Sequence, residues 1–214
     1  MKKILVLFAV LVFSFSALAR PVKLMVYGDS LSVGHHLAAE DSFWAKLEVA
    51  LKKDGYDVKV LNYSKSGETT TGALHKVRGA LQQDPDAIIL QLGSNDMFQK
   101  FPLKRTTDNL QKLITTFHEV GIPVLLVGME VPLTETPEYR AGTRQMYADL
   151  ALENELLLYP FFMDGLWKED GTPIGEEYFL SDKMHPSAKG VDVMVKRIVP
   201  VVKQFLQEDV LSEN

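Results

Sequence analysis

The sequence predicts a three-layer α/β/α fold in which one parallel sheet is covered by helices on both faces. Two observations predict the layers. Apolar runs of strand length alternate along the chain with segments whose apolar residues recur at helical spacing. One run, Ala87-Ile88-Ile89-Leu90-Gln91-Leu92, is apolar on both faces, as suits a central parallel strand covered by helices. A third observation concerns extent. No linker, repeat or low-complexity stretch interrupts the alternation, so residues 20–214 read as a single domain.

The first nineteen residues stand apart. Lys2 and Lys3 precede an apolar run from Ile4 to Phe15, and Ala17-Leu18-Ala19 gives the small-x-small pattern that a signal peptidase reads. The run is short for a bilayer span. Residues 1–19 are therefore expected to be a cleaved signal, with the mature chain starting at Arg20. That places the protein in a bacterial periplasm or outside the cell, without a stable membrane anchor and, by expectation, as a monomer.

The elements then follow in order. Val22–Tyr27 is a strand that stops at Gly28. Phe43, Trp44, Leu47, Val49, Ala50 and Leu51 mark a helix closed by Asp54-Gly55. Val58–Leu61 is a second strand. Thr70–Gln83 is a helix capped by Thr69 or Thr70, weakened by Gly72 and Gly79. After the third strand at 87–92, a helix over Thr106–Val120 ends at Gly121, and Ile122–Val127 is the fourth strand. Glu138–Asn154 is helical and Leu156–Leu158 is a short fifth strand. A loop rich in Gly, Glu and Asp runs from Met163 to Lys183. The last helix begins near Ser187, with Val191, Met194, Val195, Ile198 and Val199 on its apolar face. Right-handed crossovers would build this order into a parallel sheet, with its site in the crevice at the strands' carboxyl ends.

Composition narrows the chemistry. The net charge is −5, and removal of Lys2 and Lys3 leaves 21 basic residues against 28 acidic, or −7. No basic cluster offers a footprint for nucleic acid. The chain has no cysteine, so disulfides and thiol catalysis are excluded. No His/Asp/Glu cluster has the spacing of a metal site, and neither a Walker loop nor a G-x-G-x-x-G turn follows a strand. No cofactor is expected. A G-x-S-x-G elbow is also absent, which disfavours the α/β-hydrolase arrangement.

Four short motifs fall where strands give way to loops or a helix begins: Gly28-Asp29-Ser30-Leu31, Ser66-Gly67-Glu68-Thr69, Gly93-Ser94-Asn95-Asp96 and Asp182-Lys183-Met184-His185-Pro186. Topology would gather them at one sheet edge. A serine hydroxyl needs an adjacent base to become a nucleophile, and His185 is the natural base for Ser30. Asp182, three residues upstream, can fix the imidazole tautomer. Attack on an acyl carbon creates an oxyanion, for which the backbone N–H groups of Ser30 and Gly67 and the Asn95 amide are the candidate donors. Asp29 and Asp96 read as acceptors that hold their turns. His35 and His36 read as solvent-facing, and His75 and His118 lie in helical segments without ligand-spaced partners.

As a set, these four blocks resemble the SGNH hydrolase superfamily, also called the GDSL family, and within it the bacterial acyl-CoA thioesterase, lysophospholipase and arylesterase group. Its namesake Ser, Gly, Asn and His fall on Ser30, Gly67, Asn95 and His185, from Val22 to about Phe205. Ser94 stands where many members carry glycine, with little expected consequence because Asn95 is in place. The resemblance implies a flavodoxin-like, five-stranded sheet of order 2-1-3-4-5 and a serine hydrolase acting on a small-molecule or lipid acyl ester or thioester. The expected acyl pocket uses Met97, Phe98, Phe101, Met129, Val131 and Leu133, since pockets are mostly apolar. Phe161, Phe162, Leu166 and Trp167 read as core or rim. A carbohydrate O-acetylesterase, hinted at by Trp167 and Tyr178, and a non-catalytic lipid-binding protein are the alternatives.

Overall fold

The computed structural model describes residues 20–131, 135–168 and 170–211. The expected export signal and the pocket residue Leu133 lie outside these.

Five parallel strands form the sheet in the order β2-β1-β3-β4-β5, the order the resemblance implies. They are β1 (Val22–Gly28), β2 (Val58–Asn62), β3 (Ala87–Gln91), β4 (Val124–Val127) and β5 (Leu158–Tyr159). Both central strands β3 and β4 are buried along their whole length, because helices cover both of their faces. Pairing of Val26 with Ile89 and of Ile89 with Leu125 keeps β-branched and leucine side chains stacked across the sheet.

On one face α2 (Phe43–Lys53) packs against α7 (Ala188–Phe205). Lys46 reinforces this contact by bonding Asp192 at 2.7 Å and the Ala188 carbonyl at 2.8 Å. On the other face α5 (Leu103–His118) lies between α3 (Thr70–Leu81) and α6 (Pro137–Glu153). The Gln111 and Asn154 amides exchange two hydrogen bonds across the α5–α6 contact. Two short helices, α1 (Ser30–Val33) and α4 (Ser94–Phe98), open directly from β1 and β3. No helix among the described residues is long and apolar enough to cross a membrane.

The elements differ from the sequence reading mainly at their ends. Pro102, with φ −54, starts α5 at Leu103 rather than at Thr106, because a fixed φ pre-organises the first turn. β5 begins at Leu158 rather than Leu156: Glu155 takes φ 54 and the Leu156 N–H returns to the Ala151 carbonyl, so Leu156 still belongs to the exit from α6. Ile122 and Pro123 precede β4 rather than form it. Val49, placed on the apolar face of α2, is 68% exposed. Of the two possible caps for α3, Thr69 serves, accepting the Gly72 N–H at 3.1 Å, and this frees Thr70 for the site.

Candidate functional site

The carboxyl ends of β1, β2 and β3, together with the loop before α7, bring the four motifs to one edge. β1 ends at Gly28, and Asp29 caps α1 by accepting the Leu31 N–H at 3.0 Å. That turn leaves Ser30 partly exposed at the first helical position. Asp29 itself is fully buried, and its second oxygen accepts the Ser94 hydroxyl at 2.5 Å. Burial raises its pKa above the usual carboxylate value, against the opposing pull of Ser94, Leu31, Gln91 and His185. Gln91, at the end of β3, accepts from the Ser32 hydroxyl at 2.6 Å and from the Asp29 N–H at 3.3 Å.

The second and third motifs are tied together in the same way. Asp96 is fully buried and accepts both the Thr70 N–H at 2.9 Å and the Thr70 hydroxyl at 2.5 Å. Asn109 on α5 donates to the Thr70 and Thr71 hydroxyls, each at 3.0 Å. The Asn95 amide donates one hydrogen to the Glu68 carbonyl at 2.9 Å, which leaves its second hydrogen for another acceptor. Gly67 takes φ 77, and a β-carbon there would point into open space. The left-handed backbone, rather than crowding, selects glycine at this point. No described residue accepts the Gly67 N–H. Behind it, the buried Glu68 carboxylate pairs with Lys76 and anchors the turn to α3.

The fourth motif is a turn organised by its own aspartate. Asp182 Oδ1 accepts the backbone N–H groups of Met184 and His185, each at 2.9 Å, while Oδ2 lies 2.7 Å from His185 Nδ1. Burial alone would raise the Asp182 pKa, but these N–H groups and the His185 ring overcome it and bring the value to about 2. An ionised Asp182 accepts a hydrogen bond from Nδ1–H, which leaves Nε2 unprotonated in the neutral ring. That Nε2 lies 2.9 Å from Ser30 Oγ. Asp182, His185 and Ser30 therefore form one continuous hydrogen-bonded line. Ser187 then caps α7, its hydroxyl accepting the Gly190 N–H at 3.3 Å.

Comparisons with known proteins establish the family of the chain. Residues 26–193 match the GDSL-like Lipase/Acylhydrolase family. The chain belongs to that family. As a member it is an SGNH-type hydrolase of carboxylic ester or thioester bonds. It is similar to an arylesterase of Vibrio mimicus, at 35% identity over 179 residues that cover 83% of this chain and 86% of that one. It is 29% identical to a thioesterase 1/protease 1/lysophospholipase L1 of Escherichia coli strain K12, over 84% of each chain. The crystal structure of TesA superposes with a TM-score of 0.79 at 27% identity, covering 86% of this chain and 99% of that one.

The expected pocket residues separate into groups. Met97, Met129 and Val131 are buried, Phe101 is half-buried beneath the Arg105 guanidinium at 4.1 Å, and Phe98 is 56% exposed. Phe162 and Leu166 belong to the core, while Phe161 packs partly buried against it. Trp167 packs on Phe179 with ring centroids 5.1 Å apart. His35, expected to face solvent, is half-buried at the site edge, its ring 4.8 Å from that of His185. The sequence reading also gives no role to Gln91 or to Tyr147, whose hydroxyl donates to the Leu92 carbonyl at 2.8 Å. Polar residues inside apolar or helical stretches carry no pattern that would single them out.

Proposed function

We propose that this acylhydrolase cleaves aliphatic acyl esters and thioesters through Ser30 as nucleophile, His185 as base and Asp182 as the residue that orients His185. The hydrogen-bonded line from Asp182 to Ser30, with spacings of 2.7 and 2.9 Å, carries the reading. Ser30 Oγ attacks the acyl carbon as its proton passes to His185 Nε2. The oxyanion that forms meets the N–H groups of Ser30 and Gly67 and the free hydrogen of the Asn95 amide; such donors supply roughly 3–4 kcal/mol each. Collapse of the intermediate expels an alkoxide or thiolate, which takes the proton from His185. Water, deprotonated by His185, then attacks the acyl-enzyme, and Ser30 leaves with the returning proton.

Relatives named arylesterase and thioesterase 1/lysophospholipase L1 support esters and thioesters as the substrate class. The exposed Phe98, just beyond Asn95, with Met97 and Phe101, supports an apolar acyl wall and chains of short to medium length. Trp167 packs against Phe179 in a tilted ring contact, which weighs against an open sugar-binding groove. The leader at residues 1–19 supports export of one domain, residues 20–214, to the periplasm. Labelling by a fluorophosphonate, together with hydrolysis of p-nitrophenyl esters of increasing chain length, tests the whole reading. Wild-type chain should label and Ser30→Ala should not. Equal labelling of both, or activity confined to acetylated sugars, would sink it.

A further inference from the structure

In the tetrahedral intermediate the reacting carbon carries Ser30 Oγ, the oxyanion, the acyl chain and the leaving group. The oxyanion turns toward Gly67 and Asn95. The leaving atom must face His185 Nε2, because the proton taken from Ser30 is handed to it. The acyl chain takes the remaining direction, away from His185. Side chains packed on His185 therefore border the group that leaves.

His35 is such a side chain. Gly34 ends α1 with φ 79, and the next N–H, that of His35, donates to the Ser30 carbonyl at 3.2 Å. The backbone of the nucleophile thus sets the position of the His35 ring. That ring lies 4.8 Å from His185 and 3.9 Å from His36. Its Nδ1 is 3.0 Å from Ser66 Oγ, on the residue before Gly67. Burial, then the facing His36 and His185, lower the pKa of His35 against the pull of Asp182, which favours the neutral ring. Donor counting then decides what the pair offers. If Ser66 donates to Nδ1, the proton on Nε2 remains unspent. If Nδ1–H donates to Ser66, the serine hydroxyl proton remains unspent. Either tautomer leaves one uncharged donor.

Resting on the acyl-hydrolase reading, we propose that His35 and Ser66 form a leaving-group subsite that selects alcohols with a hydroxyl beside the ester oxygen, as in a glycerol monoester. The test compares monooctanoylglycerol with propyl octanoate, which has the same carbon skeleton without the hydroxyls. Both give the same octanoyl-enzyme, so their kcat/KM values differ only in steps up to acylation. Each partner holds the other's donor in place, so in His35→Ala and in Ser66→Ala alike the glyceryl-to-propyl ratio of kcat/KM should fall about three- to tenfold, the worth of one neutral hydrogen bond. His35→Gln, which keeps a side-chain donor, should restore most of the ratio. Ser66 lies on an exposed turn, so its variant serves even if His35→Ala fails to fold. A ratio equal to wild type in the folded variants, or a loss that tracks acyl-chain length instead, overturns the subsite. A wild-type protein that neither cleaves p-nitrophenyl octanoate nor takes a fluorophosphonate overturns the acyl-hydrolase reading itself.

Discussion

Replacing Asp182 by asparagine should move one proton and disable the site. In the wild type Oδ1 accepts two backbone N–H groups at 2.9 Å and Oδ2 faces His185 Nδ1 at 2.7 Å. An amide has one acceptor oxygen, and the two backbone donors claim it, since the opposite orientation would set an NH2 group against two N–H groups. The NH2 group must then point at Nδ1, which becomes an acceptor, and the neutral imidazole carries its proton on Nε2. That nitrogen, 2.9 Å from Ser30 Oγ, can no longer take the serine proton. The imidazolium formed in the transition state also loses its anionic partner. A tautomer inversion of this kind costs roughly 10⁴ in kcat, or about 5.5 kcal/mol. Stability should fall by only about 1 kcal/mol, because both turn hydrogen bonds persist and the carboxylate is partly solvated. Steady-state hydrolysis of p-nitrophenyl butyrate and urea denaturation of the same preparation separate the two effects. A folded Asp182→Asn protein with kcat within tenfold of wild type would refute the reasoning.

Other perturbations report on neighbouring parts of the molecule. The Asp182 pKa is depressed from 3.8 to about 2, so its stabilising contribution is complete above about pH 4 and is lost as pH falls through 2. The stability gap between wild type and Asp182→Asn should shrink over that window in urea melts, and a constant gap would contradict it. Ser94→Ala leaves the buried Asp29 oxygen without its hydroxyl donor and should cost about 1–3 kcal/mol by the same measurement; a cost near zero would mean that the bond contributes nothing. Gly93→Ala should destabilise by roughly 3 kcal/mol or more, because φ is 119 and the new β-carbon would sit 2.4 Å from the Tyr147 hydroxyl. Phe98→Ala should raise KM for octanoyl esters more than for acetyl esters while changing stability by less than about 0.5 kcal/mol. An equal change for both acyl groups would remove Phe98 from the acyl wall.

The sequence carried the layers and the four motifs because both depend on local pattern. Strands buried on both faces appear as unbroken apolar runs, as at Ala87–Leu92, and the motif residues cluster at their ends. Strand order came only with the family resemblance, since nothing in periodicity says that β3 lies beside β1. What stayed hidden was long-range polar pairing. Ser94 read as a harmless departure from glycine, yet its hydroxyl spans 65 positions of sequence to reach Asp29. His35 read as solvent-facing because it leads into a surface loop or helix start. Only the left-handed turn at Gly34 swings its ring against His185. Pro102 and Glu155 shifted helix and strand ends by a few residues, where backbone dihedrals outweigh the hydrophobic pattern.

The hydrogen bonds divide the site into two separately mounted parts. Ser30, Gly67 and Asn95 sit on turns cross-braced by Asp29–Ser94, Asn95–Glu68 and Asp96–Thr70, all rooted in the central sheet. His185 rides on a turn braced by its own Asp182, by the Leu180–His185 backbone bond and by the Tyr178–Ser187 bond at the start of α7. In the proposed mechanism the electrophile-binding and proton-handling parts can therefore loosen on different clocks. In native-state hydrogen exchange the amides of Met184 and His185 should open at lower free energy than those of Leu31 and Thr70. A chain caught in that partly opened state would still hold a carbonyl in place but would have no base to activate Ser30, so it would bind substrate without turning it over.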